Sequence, residues 1–477
     1  MLNRRSFLLT GNKVLGALAI SNVAPSFARS QATSGVVSIR LKIAPPLANI
    51  PDNFVGLGYE MSSAARLGLL SVQNARYVRL IKNLGRQGVL RLGGIVSDFS
   101  RYAPQGQIVA EPKHTVVTRA SLEQLSAFLK EIGWTAIWSV NFGNGTLEEA
   151  VTEARAVASI LGKGLYALEI GNEVDRYGHG EHSQRKPPYN YDMYRAEYTV
   201  WHNAISNAVP GVRFAAPDAT FSAVEWVEEM SKDAHGDVQL LTIHYYRNGQ
   251  RRGSVEQLAV PDPMLQSKLK RLKATARQSG IPWRMCETNS FSGGGRPGVS
   301  DTMLAALWTL DYMLLLAQYG CAGVNIETGV NQLGFVSFYS PIQDDGKGNN
   351  TAGVPYYGML ACVTAMDGSP EVLPIDMDLH GMNITAYALG TAGKPRSLVV
   401  VNRDASQDAE VVFADLKMGS VHAMRLSAPS EFSRADVTFA GAAVDAGGHW
   451  RPRKVESIRN GKVTVPRMSA VVLLHAI

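Results

Sequence analysis

The chain has 477 residues, 45% of them hydrophobic and 18% charged, an ordinary globular balance that excludes a disordered or low-complexity protein. That length accommodates one large domain of about 250–300 residues and a smaller one. The formal net charge of +6 is small for the length, and the basic residues are scattered rather than massed in a stripe, which argues against nucleic acid as a partner.

In chain order, NRRSFLLTGNKVLGALAISNVAPSFA carries the twin arginines Arg4 and Arg5, then Phe7 and Leu8, a mildly apolar stretch, and small residues at Ser26 and Ala28. This is the pattern of a twin-arginine signal peptide, residues 1–28, cut after Ala28. The stretch is too short and too polar for a membrane span. The expectation is a bacterial protein exported folded to the periplasm or the medium, with no membrane attachment after cleavage. Within residues 29–50, GVVSIRLKI (Gly35–Ile43) reads as a strand that pairs with a sheet formed by the far end of the chain.

Residues 51–366 alternate short apolar runs with longer helix-period segments. The strand candidates are Phe54–Glu60, Val89–Gly94, Thr135–Phe142, Leu165–Glu173, Val212–Asp218, Leu240–Tyr246, Trp283–Asn289 and Ala322–Gly329, each dense enough in apolar residues to be buried on both faces. Between them, TRASLEQLSAFLKEIG opens on a Thr118 or Ser121 cap and ends at Gly133, and SDTMLAALWTLDYMLLLAQYG opens at Ser300-Asp301 and stops at Gly320. Eight strands alternating with helices predict an α/β fold of the (β/α)8 TIM barrel type. The rival, a doubly wound open sheet, lacks a glycine-rich dinucleotide fingerprint after the first strand.

Residues 367–477 change style. ITAYALGT, RSLVVVNR, AEVVFAD, SVHAMRL, KVTVPRM and SAVVLLHAI are separated by Gly, Asp, Asn and Ser turns, the spacing of an antiparallel β-sandwich domain that also takes the N-terminal strand. Cys286, Cys321 and Cys362 form no paired motif, so buried free thiols are expected.

Catalytic groups in a barrel sit where strands end, at the C-terminal face. The first strand ends at Tyr59-Glu60, the fourth at Asn172-Glu173, the sixth at His244-Tyr245-Tyr246 and the seventh at Glu287-Thr288-Asn289. Glu173 and Glu287 would face each other across the mouth. Two carboxyl groups about 5–5.5 Å apart serve as acid/base and nucleophile in retaining glycoside hydrolysis, and in such a pair each charge raises the other's pKa.

GNE closing the fourth strand and a Glu closing the seventh resemble the retaining glycosidases built on (β/α)8 barrels. RLGGIVSDF, HYYRNG and ETNSFSGGG together are similar to glycoside hydrolase family 79, the β-glucuronidases and heparanases, and most of all to its bacterial β-glucuronidases. The resemblance spans the whole length. It implies that Glu173 is the general acid/base, that Asn172 hydrogen-bonds the sugar 2-hydroxyl, and that Glu287 is the nucleophile. His244 and Tyr246 would orient Glu287, and Glu60 would contact distal sugar hydroxyls. Tyr245 counts among the substrate-binding candidates, although strand alternation sends it the other way.

Glycines let the backbone approach a ligand and aim N–H groups at an anion. Six residues after Glu287, the run Gly293-Gly294-Gly295 follows Ser292; the resemblance makes Ser292, Gly293 and Gly294 the receivers of the glucuronate carboxylate. The chain departs from heparanases at Ser292 and Ile95, where they carry tyrosine and threonine. After the eighth strand it offers Phe335 or Tyr339 as the tyrosine that helps bind the carboxylate, and Tyr339 is the candidate.

HGEH (His179–His182) lies in a polar loop without a third ligand, so no metal and no cofactor are expected. Neither a phosphate-cradling loop nor a G-x-S-x-G elbow is present in the sequence. The expectation is a retaining exo-β-glucuronidase acting on a glucuronic-acid-containing glycan or glucuronide, the stretch Gln332–Tyr357 walling off the site behind the terminal sugar. An endo-acting heparanase-like enzyme and a non-catalytic sugar-binding barrel are the alternatives.

Overall fold

A computed structural model describes residues 33–109, 113–180, 183–234, 236–329, 337–344, 348–416 and 420–475. The expected signal peptide and Phe335 lie outside them.

Eight parallel strands close a barrel: β1 Val55–Glu60, β2 Val89–Gly93, β3 Thr135–Val140, β4 Leu165–Ile170, β5 Phe214–Thr220, β6 Val238–Gly249, β7 Trp283–Ser292 and β8 Val324–Glu327. β8 returns to β1 with Val324 opposite Val55 and Glu327 opposite Gly58. The ends of β4, β6 and β7 differ most from the sequence expectation. β4 stops at Ile170 rather than Glu173, because Gly171 (φ 95°) and Glu173 (φ 47°) both leave the extended region. β6 and β7 run on past the rim, with Asn248 opposite Phe291 and Gly249 opposite Ser292, forming a raised two-strand lip.

The barrel is filled in layers, as alternation requires. Val89, Ile137, Ala167, Ala215, Leu240 and Cys286 form an apolar floor. Two residues further along the same strands, Arg91, Ser139 and Glu169 build a buried polar layer directly above it. All three cysteines are buried and free.

The outer helices follow from their sequence. Arg119–Ile132 starts in a capping box between Thr118 and Ser121, buries Leu122, Leu125, Phe128, Leu129 and Ile132 on one face, and ends where Gly133 turns left-handed at φ 77°. Burying each of those larger side chains stabilises by about 1.5–3 kcal/mol. Met303–Gln318 and Val354–Met366 are apolar on nearly every face because they lie between the barrel wall and the second domain. Tyr387 from that domain donates to Asp311 Oδ1 at 2.8 Å, and Ser397 donates to the Ala365 carbonyl at 2.7 Å.

That domain is a sandwich of an eight-stranded and a four-stranded sheet. Val37, Ile39, Leu398, Val400, Ala409 and Val411 pack between the sheets. The N-terminal strand Thr33–Leu41 joins the smaller sheet, antiparallel to Ile375–Asp378 but parallel to Gln407–Val412. One pair is therefore parallel where an antiparallel domain was expected. A strand that arrives from the other end of the chain is not tied to its neighbour by a hairpin, so nothing forces it to run antiparallel. Among the described residues no helix is long and apolar enough to cross a membrane.

Candidate active site

The apolar strand β4 ends in a turn that presents two side chains. Gly171 has to be glycine: a Cβ there would stand 2.7 Å from Val174 and 2.9 Å from the Tyr177 hydroxyl. Asn172 follows, buried, and Glu173 takes a left-handed conformation with its side chain 24% exposed. Such a backbone costs a non-glycine residue of order 1–3 kcal/mol and persists only where its surroundings fix it.

Across the mouth, Glu287 projects inward from β7, its side chain 13% exposed. Tyr246 donates to its Oε1 at 2.8 Å and Arg91 Nη1 donates to its Oε2 at 2.7 Å. His244 lies between the glutamates, with Nδ1 3.4 Å from Glu173 Oε1 and 3.9 Å from Glu287 Oε2. Carboxylate oxygens of Glu173 and Glu287 approach within 4.8 Å of each other.

The layer beneath fixes this pair. Arg91, wholly buried, also donates from Nε to Glu169 Oε2 at 2.9 Å, and from Nη2 to Asn172 Oδ1 at 2.8 Å and to Asp218 Oδ2. With its oxygen held by Arg91, Asn172 keeps its amide hydrogens for another acceptor. Asp218 Oδ1 meets His244 Nε2 at 2.7 Å. Burial alone would strip the proton from His244, but Asp218 and Glu287 outweigh it and hold the ring charged, well above the usual histidine range. Burial also opposes the Asp218 charge; Arg91 and His244 overcome it, and its pKa is lowered. Burial and the nearby Asp218 charge push Glu169 up to about 7. Arg91 and His244 thus face Asp218, Glu287 and the Glu169 carboxyl.

Among the described residues, two acidic clusters have the spacing of metal ligands, and side chains of the protein already fill both. In Glu169, Asp218 and Cys286 the Arg91 guanidinium occupies the cation's place. In Glu173, His244 and Glu287 the charged imidazole has no lone pair to offer. His179 is exposed and belongs to neither cluster, while His182 lies outside the described residues.

The glycine run sits on the β6–β7 lip. Gly293, Gly294 and Gly295 adopt φ of 74°, 85° and 80°, a succession that only glycine takes easily. The Gly294 carbonyl accepts from Phe338 N at 2.7 Å and Tyr339 N at 3.3 Å, and Gln250 Nε2 donates to the Gly295 carbonyl at 2.8 Å. Tyr339 therefore lies against the loop, and its ring stacks on Tyr246 at 6.3 Å between centroids. Ser292 is half-buried at the start of the run.

Glu60 reaches the same mouth from β1, its Oε2 accepting from Val96 N at 2.9 Å. Burial, then the Glu287 charge, raise it to about 8. Tyr245 requires a correction: it points out of the barrel, donates to Asp262 Oδ2 at 2.8 Å and stacks on Tyr312 at 5.5 Å, so it is wall packing and contributes nothing to the mouth. The stretch Gln332–Tyr357 is also shorter as a loop than expected. Ile342–Asp344 and Asn350–Ala352 form a hairpin, and a helix begins at Val354. Arg66 bonds Asp344 at 2.5 Å and Asn74 bonds Asn350 at 2.8 Å, fixing the hairpin beside the segment that follows β1.

Three residues of the network beneath the glutamate pair escaped the sequence reading: Arg91, Glu169 and Asp218. Asp218 lies near the end of β5, so the strand-end rule extended to that strand finds it. Arg91 and Glu169 are charges inside runs buried on both faces, and such charges demand buried partners.

A family model described as the glycosyl hydrolase family 79 C-terminal beta domain matches residues 386–472, within the sandwich. A beta-glucuronidase of Aspergillus niger is 24% identical over 371 residues, covering 67% of this chain and 66% of that protein, just under two thirds of its length. One of Neurospora crassa is 24% identical over 417 residues, covering 75% and 70%. Among solved structures, a 4-O-alpha-L-rhamnosyl-beta-D-glucuronidase from Fusarium oxysporum 12S, in complex with Rha-GlcA, shares the fold with a TM-score of 0.76 at 19% identity, over 92% of this chain and 100% of that one. A family 51 arabinofuranosidase from Xanthomonas axonopodis pv. citri shares it at 0.64 and 16%, over 92% and 99%. The C-terminal sandwich thus matches the glycosyl hydrolase family 79 C-terminal beta domain, the two relatives similar to this chain are beta-glucuronidases, and the barrel with its sandwich is the fold of the Fusarium enzyme.

Proposed function

We propose that the chain is a retaining β-glucuronidase that removes terminal glucuronic acid from glycans or glycoconjugates. The observation that carries it is the pair Glu173 and Glu287, with oxygens within 4.8 Å across the barrel mouth and the His244 ring between them. That separation suits double displacement and leaves no room for the water that an inverting pair accommodates.

In the first step Glu287 forms a bond to C1 while the glycosidic bond breaks, and Glu173 gives its proton to the departing oxygen. Arg91 and Tyr246 hold the Glu287 oxygens so that the one not attacking keeps a hydrogen-bond donor. In the second step Glu173 takes a proton from water, whose oxygen attacks C1 and frees Glu287. The amide hydrogens of Asn172 are the donors available to the 2-hydroxyl.

For the sugar carboxylate, the left-handed Gly293-Gly294 turn offers backbone N–H groups on a lip carrying Tyr339. The names of the curated relatives and of the Fusarium enzyme support glucuronate as the sugar. Exo action is favoured by the hairpin braced on Arg66 and Asn74, which builds up the rim after β1. Export belongs to the same proposal, on the Arg4-Arg5 pair and the small residues before the expected cut after Ala28.

The experiment is proton NMR of the first-formed product from an aryl β-glucuronide. β-Glucuronic acid appearing before mutarotation supports the reading, and α-glucuronic acid sinks it. Release of internal fragments from a long glucuronate-containing glycan, with no terminal glucuronic acid, would replace exo by endo action.

A further inference from the structure

The strained turn carrying Glu173 has three anchors. Arg91 holds the Asn172 side chain. Asp175 accepts from Thr220 N at 2.7 Å and from Thr220 Oγ1 at 2.6 Å, tying the turn to the end of β5. The third reaches the turn's backbone. Asn172 N donates to the Tyr177 hydroxyl at 3.4 Å, and that hydroxyl donates to Asp98 Oδ1 at 2.5 Å.

Asp98 lies in the 3-10 turn after β2 with 2% exposure, and Gly143 N also donates to its carboxyl. A Cβ on Gly143 would stand 2.5 Å from the Asp98 Cβ, so the loop after β3 closes over this carboxyl. The Tyr177 ring is clamped as well. Phe142 lies 5.8 Å away, Tyr189 stacks at 6.2 Å, and the Arg185 guanidinium lies 5.5 Å over its face. A phenol has one proton. With that proton committed to Asp98, the Tyr177 oxygen can only accept, and the donor it faces is the Asn172 amide. A fully buried carboxyl is costly and calls for a reason.

We propose that Asp98, acting through Tyr177, is a positioning residue that holds Glu173 where it can protonate the glycosidic oxygen. The inference rests on the acid/base role of Glu173 proposed above. The carboxyl sets the hydroxyl, the hydroxyl sets the Asn172 backbone, and the next residue is Glu173. Misplacing a catalytic group by about 1 Å costs on the order of a hundredfold in rate.

The test compares Asp98→Asn and Tyr177→Phe with the wild type on two glycosides of whichever sugar the wild type hydrolyses, one with a dinitrophenyl aglycone and one with methyl. A crystal structure of each folded variant accompanies the kinetics. A dinitrophenolate leaves without protonation, whereas methoxide needs the acid. The expected result is a loss of roughly tenfold or more in kcat/KM on the methyl glycoside, within about twofold of wild type on the dinitrophenyl one. Glu173 should be displaced from His244 while Glu287 stays in place. Equal losses on both aglycones, or unchanged rates with Glu173 in place, overturn the proposal. Should Tyr177→Phe fail to fold, the isosteric Asp98→Asn decides. A wild type specific for a sugar other than glucuronate removes the proposed substrate and leaves this ratio readable.

Discussion

Arg91 Nη1 donates to Glu287 Oε2 over 2.7 Å, from a side chain with no exposure to solvent. The same guanidinium reaches Glu169, Asn172 and Asp218. One planar cation therefore holds Glu287, the residue before Glu173 and the Asp218 carboxylate that faces His244. Lysine keeps the charge but not the fork. Arg91→Lys is expected to lower kcat/KM by roughly a hundredfold or more. Leaving buried acceptors unpaired should also cost about 3–5 kcal/mol of stability in denaturant unfolding. A variant with near-normal activity would show that Arg91 is only a structural plug.

Tyr246 makes a narrower contribution, one hydroxyl on Glu287 Oε1. A hydrogen bond to a charged group contributes about 1.5–3 kcal/mol, or roughly 10–100-fold in rate when it is needed at the transition state. Tyr246→Phe should lose that much in kcat with little change in KM. A rise in KM at constant kcat would instead make the tyrosine a sugar-binding group.

The two glutamates should fail differently. Glu287→Gln is expected to abolish turnover on every aglycone. Glu173→Ala should spare the first step for substrates with a good leaving group, and added azide should restore its turnover by forming a glycosyl azide. If the two variants behave alike and azide does nothing, the assigned roles are wrong.

Glu153 offers a pH test away from the mouth. It is buried on the helix Leu147–Leu161, accepts from Trp138 Nε1 at 2.8 Å, and burial raises it to about 7 from the usual 4.5. The folded state therefore holds a proton that the unfolded chain releases near 4.5. The contribution is fully present below that value and is lost as pH rises through about 7. Glu153→Gln keeps an oxygen acceptor and never ionises. It should melt close to the wild type at pH ~4.5 and above it at pH ~8, where the wild type must bury a charge. Parallel melting curves across that range would contradict the assigned burial cost.

Much of this was legible from the chain because a buried parallel strand is an unmistakable apolar run, and each run that stops at a polar side chain marks the barrel's functional face. Glu173 and Glu287 were visible for that reason. Arg91 was not, because a strand-end rule looks past the middle of VLRLGG, and only the closed barrel shows that its interior can supply four acceptors to one guanidinium. The left-handed backbone of Glu173 was equally hidden, since only the crowding at Gly171 forces the turn. The parallel pairing of the N-terminal strand depends on contacts some 370 residues apart in sequence, which no local pattern encodes.

The most direct measurement is a set of initial rates on p-nitrophenyl β-glucuronide beside the matching β-glucoside and β-galactoside. Rapid hydrolysis of the glucuronide alone is the predicted result, because the Gly293-Gly294 turn would bind the carboxylate that the neutral sugars lack. Comparable rates on the neutral sugars would keep the glutamate pair and contradict glucuronate recognition by the glycine loop; no turnover of any of the three would contradict exo-glucuronidase action itself.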